Sequence, residues 1–73
     1  MENEYNFEPS MMIDEVSTEE YYIGTTNNSK RESASNWKIK KAWKIGTLWH
    51  FGFPNGDQAY KYVWNDRFDY HYD

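Results

Sequence analysis

The sequence predicts an all-β protein, a small antiparallel meander of about four to five strands, barrel- or sandwich-like, with an extended N-terminal arm. Three observations predict it. From Trp37 the odd positions read Trp37, Ile39, Lys41, Trp43, Ile45, Thr47, Trp49, Phe51 and Phe53, with mostly polar or small residues between them. A period of 2 held this long belongs to strands. Gly46 and the run Pro54-Asn55-Gly56-Asp57 supply turns at the right intervals. The apolar inventory is the third: Trp, Tyr and Phe number 15, while Ile, Val and Leu together number only 7. Each buried ring removes about 150–250 Å² from water, so a few rings do the work of many aliphatics. A chain of 73 residues has room for one small core. Without cysteine it must hold that core by packing.

Taken in order, residues 1–20 carry seven acids and no base, and form the predicted arm. Tyr5 and Phe7 alternate with Asn6 and Glu8, which suits a strand added to a neighbour's edge, until Pro9 interrupts the pairing. Tyr5, Phe7, Met11, Met12 and Ile13 are the expected docking side chains of this arm. The β domain then spans 21–73. Tyr21-Tyr22-Ile23-Gly24 is a short strand, and residues 25–36 form a polar surface loop with one helical turn near 30–35. Strands are expected at about 37–44 and 47–53, divided by Gly46. A second aromatic alternation follows at Tyr60, Tyr62 and Trp64, is interrupted by Asn65-Asp66-Arg67, and resumes at Phe68, Tyr70 and Tyr72. The last half therefore reads as a four-strand meander. A chain this short cannot enclose every ring, so Trp37, Trp43, Trp49, Tyr60, Tyr62 and Trp64 are expected to divide between core and interface.

The chemistry-bearing residues point away from catalysis. His50 and His71 have no metal-motif spacing, so neither a metal nor a cofactor is expected. The serines lie in arm or loop segments rather than in a strained nucleophile turn. A raised-pKa carboxylate for acid catalysis needs a desolvated pocket that so small a chain can hardly build. Lys38, Lys40, Lys41 and Lys44 interleave with tryptophans like a single-strand nucleic-acid platform. Period 2 turns Lys38, Lys40 and Lys44 away from Trp37, Ile39 and Trp43, however, and a net charge of −4 argues against a nucleic-acid partner. These lysines are expected to form a solvated face, or to receive the acidic arm of the same or a neighbouring chain. Arg67 is expected to stack on a ring while its fork pairs with a carboxylate such as Asp66 or Asp69. No apolar run is long enough to cross a bilayer, and no signal peptide opens the chain, so a soluble protein made without export is expected.

Six short motifs occur in one order: Tyr22-Ile23-Gly24, Ser33-Ala34-Ser35, Trp37-Lys38-Ile39-Lys40, Asn55-Gly56, Val63-Trp64-Asn65-Asp66-Arg67 and Tyr70 or Tyr72. With them the chain resembles a group of small proteins encoded by tailed bacteriophages, over about residues 21–72. The resemblance implies a virion-associated structural protein and assigns no catalytic residue. The expected function is a non-enzymatic module that packs on capsid, neck or tail fibre. Its expected partners are its own copies, taken as a trimer, and other phage structural proteins. A small acidic inhibitor of a host protein, or a sugar-binding module using exposed Trp and Tyr, are the alternatives.

Overall fold

The computed structural model describes residues 10–73, and the fold is all-β, with a single short 3₁₀ turn as its only helical element among them. Five strands follow in chain order: β1 (Ser10–Ser17), β2 (Glu20–Thr26), β3 (Ser35–Ile45), β4 (Leu48–Gly52) and the two-residue β5 (Tyr62–Val63). The first four form an antiparallel meander in the order β1-β2-β3-β4, and β5 pairs with the start of β3. The eleven-residue β3 is the spine, because it pairs with β2, β4 and β5.

Two turns behave as their residues dictate. Ile45 pairs with Leu48 across a two-residue loop in which Gly46 takes φ +63, the Gly-first geometry of a II′ hairpin. Asn55 and Gly56 both lie at positive φ (53 and 71), and the turn closes with the Asp57 N–H donating to the Pro54 carbonyl at 2.8 Å. The polar loop is shorter than expected. It runs between Thr26 and Ser35, and its helical turn reduces to one reversal in which Ala34 N–H donates to Arg31 C=O at 3.0 Å.

Three expectations are corrected. Within the segment expected as an arm over 1–20, Ser10–Ser17 form a strand in continuous register with β2 apart from an irregularity near Glu15/Ser17. Met11, Met12 and Ile13 are therefore sheet residues, while Tyr5 and Phe7 lie outside the described residues. The strands expected after residue 60 shrink to Tyr62–Val63, because Trp64–Asp66 turns as a 3₁₀ element that drives the Trp64 ring into the core. The C-terminal residues do not pair with β5. Phe53 and Asp73 exchange two backbone hydrogen bonds at 3.0 Å, and Asn55 N–H donates to His71 C=O at 2.7 Å, so the tail closes against residues 53–55.

The third correction concerns faces. Trp43 pairs with His50 and Lys44 with Trp49, so the two-residue hairpin swaps parity: odd residues of β3 share a face with even residues of β4. Trp49 and Phe51 consequently point to the side opposite Trp37 and Trp43. The inner side holds the core of Tyr22, Trp37, Ile39, Tyr62 and Trp64, with Met12, Tyr70 and Tyr72 packed on it. Trp37 and Trp64 lie with ring centroids 5.7 Å apart, and Tyr62 meets Tyr70 edge to face at 5.0 Å. Gly24 sits beneath both indoles. A Cβ there would fall 2.5 Å from Trp64 Cζ3 and 3.1 Å from Trp37 Cε3, so only glycine leaves room for the ring to lie on the strand.

Candidate protein-docking face

The inner side is closed by two cationic clamps that are structural. Arg67 donates from Nε and Nη2 to Asp14 Oδ2 at 3.1 and 2.9 Å, and from Nη1 to the Trp64 carbonyl at 3.0 Å. Its guanidinium lies 4.5 Å from the Trp64 ring and 4.8 Å from the Phe68 ring. The stacking matches the expectation from sequence, but the carboxylate is Asp14 on β1 rather than Asp66 or Asp69. Lys41 forms the second clamp, 5.7 Å over Tyr22, 5.4 Å over Trp43 and 5.8 Å over Tyr72, with Glu20 at 3.6 Å.

The tyrosines around Lys41 are held neutral. Burial, reinforced by the Glu20 carboxylate that accepts its hydroxyl at 3.2 Å, pushes the Tyr22 phenol up to about 12. Burial, with Tyr22 and Tyr70 close by, raises Tyr72 further, and its hydroxyl donates to the Arg67 carbonyl at 2.8 Å. Both folded-state values exceed the ordinary 10.0 of an unfolded tyrosine, so this contribution to stability is complete below pH 10 and falls as pH rises toward and through 12. Urea midpoints measured against pH are expected to drop steeply above pH 10, and Tyr22→Phe is expected to flatten the drop. Asp57 moves the other way: the Ala59 N–H, then Lys61 and the Tyr62 hydroxyl, hold its carboxyl below the usual carboxylate range.

The sheet's other face is different in kind. Reading across the register, Met11, Thr25 and Lys38 form one row, Ile13, Ile23 and Lys40 the next, and Tyr21, Ala42 and Phe51 a third. Met11 and Ile13 are each 62% exposed and Phe51 is 60% exposed. Trp49 leans on Tyr21 at 5.2 Å, Lys40 reaches over Phe51 at 5.5 Å and Phe53 at 6.0 Å, and Lys38 reaches over Tyr60 at 5.2 Å. An open groove of about 380 Å³ runs across these rows, lined by Met11, Ile13, Ile23, Thr25, Lys38, Lys40, Phe53 and Gln58. Among the described residues, no carboxylate pairs with Lys38, Lys40 or Lys44. The face expected to be lysines in water is an apolar face with lysines on it, because Trp49 and Phe51 arrive from β4 with swapped parity.

The sequence-selected residues therefore separate. Trp37, Tyr62 and Trp64 are core, Arg67 is a clamp, and Trp43 stacks on His50 with centroids 5.7 Å apart. Trp49 and Tyr60 belong to the outer face and its rim. Sequence reasoning missed Asp14, and it missed Ile23, Phe51 and Phe53 as one surface with Met11 and Ile13. The signal available was the even-length hairpin loop at Gly46-Thr47, which fixes the parity change. No group of three or more His, Asp or Glu side chains comes together among the described residues, and none of their helices is long and apolar enough to cross a membrane.

Fold and surface together define a small single-sheet all-β domain with one aromatic core face and one open apolar, cationic face. Compared with protein families, curated proteins and solved structures, the chain matches none.

Proposed function

We propose that this chain is a non-enzymatic assembly module that works by binding protein on the outer face of its sheet, chiefly other copies of itself. The observation that carries the reading is the outer face: Met11, Ile13, Ile23 and Phe51 form one apolar surface on the side away from the core. Exposed apolar surface of this kind, edged by charge, is characteristic of interaction sites. β1, eight residues long, lies at the edge of the sheet and adds a row of backbone groups beside that face. The resemblance to small tailed-phage proteins supports a virion as the setting, with capsid, neck or tail fibre as the site of packing.

Light scattering on the purified chain is the test. An oligomer is expected, and Ile13→Glu combined with Phe51→Glu is expected to return it to monomer with an unchanged far-UV spectrum, since both side chains lie outside the core. A parent chain that is monomeric at tens of micromolar overturns the self-assembly reading. If the particle setting holds, mass spectrometry of purified virions finds the chain; an inhibitor of a host protein would be missing from them.

A further inference from the structure

We propose that the outer-face groove is the seat of residues 2–8 of a second copy, so that copies are joined by exchanged N-terminal arms. The inference rests on the docking reading of this face and names its occupant. Residues 2–8, Glu2-Asn3-Glu4-Tyr5-Asn6-Phe7-Glu8, hold three carboxylates, no base and two rings at alternate positions. In an extended chain alternate side chains share a side, so Tyr5 and Phe7 face one way together. The groove offers what such a strand needs. Its floor is Met11, Ile13, Ile23 and Phe53, and its volume of about 380 Å³ sits at the small end of ligand pockets. Lys38 and Lys40 line it, and their two positive charges complement the three carboxylates of residues 2–8.

Self-association through this face, as proposed above, makes the groove of another copy the arm's seat. Ser10 pairs with Thr26 at the end of the sheet, and Met11 is the first residue to line the groove. Seven extended residues reach about 25 Å. That exceeds the roughly 10 Å between β1 and β3, so the arm is long enough to cross another copy's groove.

The chain has no cysteine, so Asn3→Cys accepts a single nitroxide on the 73-residue chain. Nitroxide-bearing chain without isotope is mixed with isotope-labelled parent chain, and amide signals are followed. Loss of the Thr25, Ile23, Lys38 and Lys40 signals is expected, with Tyr72 and Trp64 on the opposite side retained. Signals are expected to return when the labelled chain carries Lys38→Glu and Lys40→Glu, or when the arm carries Phe7→Ser. Loss only when nitroxide and isotope share one chain overturns the exchange, because the arm then folds onto its own groove. No loss in a sample that scatters as an oligomer overturns the arm as occupant while the docking reading stands. No loss in a monomeric sample removes both.

Discussion

Trp37→Ala is expected to cost about 3–5 kcal/mol, the range for emptying a large aromatic site in a core. A domain of this size has a total stability of only about 4–11 kcal/mol. The variant is therefore expected to melt well over 10 °C below the parent, or to be partly unfolded at room temperature, given about 4–8 °C per kcal/mol. Three losses coincide at this position. Trp37 is fully buried, so its volume becomes a void that the Ile39 and Tyr62 neighbours fill only in part. Its indole stops bracing Trp64, whose ring is fixed on its other flank by the bare backbone of Gly24. Its Nε1–H no longer donates to the Arg31 carbonyl at 3.1 Å, which frees the turn that leads into β3. Trp37→Phe separates these effects, because it keeps most of the packing and removes the hydrogen bond; its expected cost is about 1–2 kcal/mol. Urea unfolding of both variants checks the pair. A Trp37→Ala midpoint close to that of the parent would show that the core is centred elsewhere.

What was legible in the sequence follows from which interactions are local. The strand character of β3 and β4 and the two turns at Gly46 and Asn55-Gly56 rest on alternation and on φ preference, and both are visible in short windows. Facing was not, since unbroken odd-numbered alternation from Trp37 to Phe53 looks like one continuous face. Only pairing across the Gly46-Thr47 loop reveals that Trp49 and Phe51 have crossed to the lysine side. β1 was hidden for a related reason. Ser10–Ser17 alternates between Met12 and Asp14 facing the core and Met11, Ile13 and Glu15 facing out, so its inner face contains a carboxylate while its outer face exposes Met11 and Ile13. That inverted pattern reads as a solvated arm until the partner of Asp14 is known. The end of the chain was over-read as strand, because Phe68, Tyr70 and Tyr72 keep strand parity while their backbone does not pair with β5. Tyr70 instead accepts the Val63 N–H with its hydroxyl at 3.0 Å, a side-chain bond that takes the place of a ladder bond.

Arg67→Ala is expected to destabilise the fold by about 3 kcal/mol, the low end of the range for removing one partner of a buried ion pair, since the Asp14 side chain is 31% exposed. The clamp joins the first described strand to the C-terminal segment across 53 residues, and no backbone pairing links those two elements. Losing the guanidinium leaves Asp14 without its cation and the Trp64 carbonyl without its Nη1 donor, and it uncovers the facing planes of Trp64 and Phe68. Arg67→Lys keeps the charge but cannot give two bonds to one carboxylate while stacking flat on a ring, so it is expected to recover less than half of the loss. Asp14→Asn and Arg67→Ala, measured singly and together, are expected to show a coupling of about 1–2 kcal/mol. Lys61 with Asp57 supplies the contrast: that pair is solvent-exposed, with Lys61 62% accessible, and Lys61→Ala is expected to cost under about 1 kcal/mol. Salt separates the two pairs as well, because screening acts on exposed charges and much less on a fork enclosed between rings. Zero coupling between Asp14 and Arg67 would mean that ring stacking alone holds the C-terminal segment. In that case Arg67→Met, which keeps a polarizable chain between Trp64 and Phe68, would be as stable as the parent.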